Sequence, residues 1–79
     1  MTNKEKYEKV FMDSFSVDEN KLNEDLVYES VSQWDSVGHM GMIAELEETF
    51  DILLETDDII DFSSYTKGIE ILAKYKVSI

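Results

Sequence analysis

Trp34-Asp35-Ser36-Val37, running on through Gly38-His39-Met40-Gly41-Met42-Ile43-Ala44-Glu45-Leu46-Glu47-Glu48-Thr49-Phe50, is the stretch whose reading decides the fold. An unpatterned polar segment ends there, and Val37 to Phe50 is read as the most strongly amphipathic run of the chain. Set out at about 100° per residue, its apolar positions fall into two groups. Met42, Ile43, Leu46 and Phe50, with His39 alongside, form a stripe wide enough to face a core. Val37, Met40 and Ala44 form a second stripe flanked by Glu47 and Glu48, apolar in the middle and acidic at its rim, as suits a face kept outside for a partner. A helix with Ser36 at its start follows. The Ser36 hydroxyl could simply cap that helix by accepting a bond from an orphan backbone N–H. It could equally receive a group from another enzyme, since the free N–H groups and positive dipole end of a helix favour an attached phosphate.

Upstream, Thr2-Asn3-Lys4-Glu5 has the spacing of a capping box, and Tyr7, Val10, Phe11 and Ser14, with Phe15 beside them, follow the i, i+3, i+4, i+7 template. These predict a first helix from about Asn3 to Phe15. Ser16 to Asp35 shows no sustained period and carries many acids and amides, with Val17, Leu22, Leu26, Tyr28 and Val31 as expected anchors. A tethered loop of that length is unusual in a small domain, so it either hides a short helical turn or has a functional reason. Trp34, at its end, is expected to pin the loop to the body or to line a bound group.

Downstream, Thr56 is placed to cap a very short third helix, Asp57 to Asp61, whose first acids suit its dipole. Ser63 or Ser64 then caps a last helix to about Tyr75, with Tyr65, Ile69, Leu72 and Tyr75 along one side and Lys74 and Lys76 at its C-terminal end. Gly68 inside it implies close packing. The expected fold is all-α: a single domain over residues 1–79 with three main helices, one short third helix and a long first connection.

Composition narrows the function. A chain of 79 residues buries only about 60% of the surface its unfolded form exposes, so stability is marginal. Eighteen Asp and Glu against seven Lys and Arg give a net charge of -11, which repels phosphate backbones and anionic lipids and attracts basic patches on proteins. Binding to nucleic acid or to an anionic membrane surface is therefore not expected, and since nowhere do 18 apolar residues run together, neither is a membrane span. Without cysteine the chain has no disulfide, thiolate metal site or cysteine nucleophile, so thiol chemistry must use an imported group. The N-terminus lacks the apolar core of a signal peptide, which leads to the expectation of a cytoplasmic protein; a monomer is also expected.

Among possible constellations, His39 lies three residues after Ser36, but no oxyanion hole or supporting group is evident, and the chain is read as non-catalytic. The acids Asp18 and Asp25 with Asn20, or Asp57, Asp58 and Asp61, lack the ligand order of an EF-hand, so no metal site is assigned. An acidic helical interaction module, or a weak divalent-cation binder without a covalent cofactor, is the alternative reading.

Asp35-Ser36-Val37, then Met40, Ile43 and Leu46-Glu47-Glu48-Thr49-Phe50-Asp51, resembles the acyl carrier protein family, whose signature is Asp-Ser-Leu followed by an apolar helix ending Leu-Glu-Glu-x-Phe. The similarity covers nearly the whole chain and needs no gap from Ser36 to Leu72. It implies a four-helix carrier whose Ser36 receives 4'-phosphopantetheine from coenzyme A through a magnesium-dependent phosphopantetheinyl transferase. The arm would hold acyl or aminoacyl groups as thioesters and present them to loading and acyl-transfer enzymes. Asp35 would help the transferase orient the site, and Val37, Met40, Glu47 and Glu48 would dock partners. Val37 replaces the usual leucine, and Gly38 and Gly41 stand where carriers of fatty acid synthesis have acids. Trp34 and the Gly38-His39 pair look more like stand-alone carriers of specialised pathways, such as secondary metabolism or surface polysaccharide modification. An imidazolium at His39 would favour a phosphodiester attached nearby. The two glycines lower helix propensity by roughly 1 kcal/mol each relative to alanine, which predicts a looser first turn after Ser36.

Overall fold

A computed structural model describes every residue, Met1–Ile79. The chain forms α1 (Asn3–Phe15), a 3-10 turn (Glu19–Lys21), α2 (Ser36–Phe50), α3 (Thr56–Asp61) and α4 (Tyr65–Lys74). It is an all-α four-helix bundle, and the long first connection does hide one short helical turn. The capping box closes α1 as its spacing predicts: Glu5 N–H donates to Thr2 Oγ1 at 3.1 Å and Thr2 N–H to Glu5 Oε1 at 3.0 Å. Ser64, not Ser63, caps α4 by accepting from Lys67 N–H at 2.9 Å.

Two expectations need correction. The cleanest division between an apolar and a polar face belongs to α4, not α2. Apolar side chains on two faces of α2 reduce the contrast between them. Thr56 does not cap α3 either. Glu55 occupies the cap position and its side chain makes no capping bond. The Tyr75 hydroxyl accepts the Glu55 N–H instead, at 2.9 Å.

The core is built on aromatic rings. Tyr7, Phe11 and Phe15 share one face of α1, spaced by four so that each sits a turn from the next. Phe11 meets Phe15, Trp34, Phe62 and Tyr65 with centroid separations of 5.3–6.2 Å. Trp34 lies stacked on Phe15 at 4.8 Å, wholly buried. Met42, Ile43 and Leu46 of α2 complete the core, whereas Phe50 and His39 reach only its margin. Burial pushes the Tyr7 hydroxyl well above the usual phenol range, and that hydroxyl donates to the Tyr65 carbonyl at 2.7 Å. The Tyr65 hydroxyl is pushed up to about 12, first by burial and then by Glu8.

Gly68 is the position that lets α4 approach. A Cβ there would lie 2.2 Å from Phe62 Cζ and 2.2 Å from the Tyr7 hydroxyl oxygen. The close packing expected from this glycine is therefore present.

The first connection is tied down through its backbone as well as through buried side chains. Tyr65 N–H donates to Leu26 O at 2.9 Å and Tyr28 N–H to Ser63 O at 2.8 Å, either side of a single antiparallel bridge between Val27 and Ser64. Leu26 is a buried anchor, and Val17, Leu22 and Val31 are half-buried. Tyr28, expected among the anchors, is exposed. No helix is long and apolar enough to cross a membrane.

Candidate functional site

The site grows from the N-terminus of α2. Asp35 is the cap: its Oδ1 accepts the Gly38 N–H at 2.8 Å, and its backbone carbonyl takes the His39 N–H at 2.7 Å. Ser36 is the first helical residue, exposed, with its hydroxyl left out of the cap. Of the two roles open to Ser36 in the sequence, capping thus belongs to its neighbour. The Ser36 and Val37 N–H groups precede the first intrahelical bond and face outward, as the leading donors of any helix do.

Gly38 is required for a reason its composition hides. A Cβ at this position would sit 1.8 Å from the Gln33 carbonyl oxygen. The end of the loop folds back over the first turn of α2, and only a residue without a side chain fits beneath it. The first turn is therefore pinned by the Asp35 cap and by the crossing loop rather than loosened. Gly41 differs, because nothing lies within 4 Å of a Cβ added there.

Beside Ser36 opens a groove of about 360 Å³ between α2 and α3. Met40 of α2, Ile59 and Ile60 of α3, and Phe62 give it apolar walls, and Tyr28, Ser63, His39 and Ser36 supply its polar groups. Tyr28 reaches it because the bridge at Val27 holds the loop against the α3–α4 junction. Tyr28, Ile59, Ile60 and Ser63 were not legible as site residues, because no periodicity links three separate segments.

His39 lines the floor of this groove with both ring nitrogens engaged. The Trp34 indole N–H donates to Nδ1 at 2.9 Å, and Nε2 lies 2.8 Å from the Ile59 carbonyl oxygen. An indole nitrogen only donates, so Nδ1 is unprotonated and the imidazole proton sits on Nε2, donated to Ile59. The His39 ring lies nearly coplanar with Trp34, edge to edge across this bond with centroids 6.2 Å apart, and meets Tyr28 and Phe62 edge-on. Both ring nitrogens are thus occupied by partners within the fold, and neither is directed at Ser36. In this arrangement His39 is a structural bridge from the loop through α2 to α3. Trp34 pins the loop and lies behind the groove rather than on its surface.

On its outer side α3 is held by Asp58, the one buried carboxylate. Lys74 Nζ bonds Asp58 Oδ1, and the Tyr75 hydroxyl donates to Oδ2 at 2.5 Å. Those bonds, Lys74 first, hold the Asp58 carboxyl below its usual range, and Asp58 in turn raises Lys74 and Tyr75 above theirs. A six-residue helix has almost no stability of its own. Here His39 grips it from within, and Lys74 and Tyr75 from without, which fixes one wall of the groove. Asp57, Asp58 and Asp61 do not converge, and no group of three His, Cys, Asp or Glu side chains surrounds a point suited to a metal ion.

The predicted docking residues divide. Val37 and Met40 are exposed, at 79% and 53%, and Glu48 faces solvent. Glu47 is half-buried, and its Oε2 accepts the Leu54 N–H at 2.9 Å, so it also fastens the α2–α3 connection. Ile60, 71% exposed, joins Met40 at the groove and was missed. Comparison with models of known protein families and with curated proteins finds no match to this chain.

Proposed function

We propose that the chain is a carrier of acyl or aminoacyl groups, held as thioesters on a 4'-phosphopantetheine arm attached through a phosphodiester to Ser36. One observation carries the reading: an exposed serine, relieved of capping by Asp35, opens α2 at the lip of an apolar groove. The residues present fit the group. The leading N–H groups of α2 and its positive dipole end suit a phosphodiester at Ser36. The groove offers apolar surface to whatever is tethered beside it. The arm supplies the thiol that a chain without cysteine lacks.

In this reading Ser36 is an anchor, and Asp35 holds it at a fixed place on the first turn. Val37, Met40 and Ile60 give partners an apolar contact around the anchor, while Glu48 and, in part, Glu47 give a basic partner its electrostatic guide. The partners are a phosphopantetheinyl transferase and the enzymes that load or remove the cargo. The carrier works as a cytoplasmic monomer with no chemistry of its own.

Intact mass after incubation with coenzyme A, magnesium and a broad-specificity transferase tests this. One arm should be added, and Ser36→Ala should abolish the addition while leaving the fold unchanged. Folded protein that stays unmodified with several transferases would leave an acidic interaction module as the better reading.

A further inference from the structure

The groove beside Ser36 ends in a hydrogen-bonded floor. His39 and Phe62 line it, and directly behind them lie the wholly buried Trp34 and Phe11. His39 is not merely packed there. Its ring is clamped between the Trp34 indole N–H at 2.9 Å and the Ile59 carbonyl at 2.8 Å, so a single chain of bonds runs from the loop, through α2, to α3. Phe62 is backed by Phe11 in a stacked pair at 6.2 Å. A group on its way from Ser36 into the core would have to part both bonds of His39 or push Phe62 off Phe11.

We infer that this floor limits the cargo: the groove takes acyl groups of roughly four to six carbons and excludes longer chains from the core, with His39 setting the limit. The inference rests on the carrier reading above and adds a substrate class to it. A cavity of about 150 Å³ lined by apolar side chains accommodates benzene, a six-carbon group. The groove measures about 360 Å³ but is open to solvent on one side and must also take the end of the arm. That leaves space for one short acyl group against Met40, Ile59 and Ile60. The tether makes even weak apolar contact effective, because a group anchored at Ser36 stays at high local concentration beside the groove. Carbons beyond the sixth find neither room in the groove nor a way through the floor, and remain in water.

The test loads wild-type protein by a transferase from acetyl-, butyryl-, hexanoyl-, decanoyl- and palmitoyl-coenzyme A, and follows intact mass, thermal midpoint and NMR shifts. Butyryl and hexanoyl should shift Met40, Ile59 and Ile60 and raise the midpoint by on the order of 5 °C over the unacylated arm. Decanoyl and palmitoyl should add nothing further, and the Trp34 indole N–H resonance should stay in place throughout. A midpoint that keeps rising through palmitoyl with movement of the Trp34 indole would overturn the inference, and so would unchanged groove residues with every cargo. Absence of mass gain from any coenzyme A strikes the carrier reading itself, and the inference falls with it. His39→Ala should carry the stabilisation on to decanoyl. Trp34→Phe, which keeps a ring and removes the N–H, should act in the same direction and serves if the alanine variant does not fold. A limit unchanged in a folded variant would show that His39 does not set it.

Discussion

Alanine placed at Gly38 and at Gly41 should move stability in opposite directions. In a helix interior this exchange ordinarily stabilises by about 1 kcal/mol, since alanine loses less backbone entropy. At Gly41 the new methyl meets nothing within 4 Å, so the full gain of about 1 kcal/mol is expected. At Gly38 the methyl carbon would lie 1.8 Å from a backbone oxygen of Gln33, where ordinary contact begins at 3.4 Å, so about 1.6 Å must be found. That oxygen cannot rotate away as a side chain would. Its neighbour Trp34 is held through both backbone groups, by Trp34 N–H to Val31 O at 3.1 Å and Glu29 N–H to Trp34 O at 2.9 Å. Lifting the loop off α2 sacrifices the Asp35 cap, worth about 1 kcal/mol, and strains the packing by about 1–3 kcal/mol. After the propensity gain is set against these, Gly38→Ala should destabilise by about 1–3 kcal/mol. Urea unfolding followed by circular dichroism reads both variants, with the difference in midpoint and an unchanged slope giving the stability change. If the two substitutions shift the midpoint together, the account of the loop crossing α2 is wrong. The same displacement should slow arm transfer to Ser36 in Gly38→Ala and spare it in Gly41→Ala.

Gly68→Ala should destabilise by about 1–3 kcal/mol despite its place in a helix, because its methyl would press on Phe62 and on the Tyr7 hydroxyl. Thermal denaturation checks this, and an increase in midpoint would count against it. Asp58 has a folded pKa below its unfolded one, so its contribution is present above the unfolded value and is lost as pH falls through the folded one. The stability gap between wild type and Asp58→Asn, full at neutral pH, should therefore narrow as pH drops below about 4. Lys74 and Tyr75 are raised, so their share persists below their ordinary values and fades as pH climbs through the raised ones. A gap that holds constant from pH 7 to strongly acid solution would refute the pairing.

The helices were legible because their signals are local. The capping box, the rings spaced by four in α1 and the core stripe of α2 each lie within a few turns of sequence. Ser36 and Asp35 were legible for the same reason, although which of them caps α2 was settled only by geometry. What escaped depends on distance along the chain. Tyr28 and Ser63 meet across 35 residues through one backbone bond, and Glu55 finds its acceptor in Tyr75, 20 residues away. No periodicity announces such pairs. His39 could be placed at the edge of the core stripe, but its partners Trp34 and Ile59 could not, since only the fold brings one a donor and the other a carbonyl. Gly38 looked like a weakness in α2 for want of any sign that the loop crosses it.

The Trp34–His39–Ile59 relay also constrains how this sequence can vary. An indole N–H buried without an acceptor costs about 1–3 kcal/mol, so replacing His39 alone by an apolar residue leaves Trp34 with an unpaid debt. Replacing both by apolar side chains of matching volume leaves nothing unpaired and can be nearly neutral. Positions 34 and 39 are thus free to change as a couple and resist changing singly. Diversification of the groove floor would proceed through paired steps, with the identity at one position carrying information about the other.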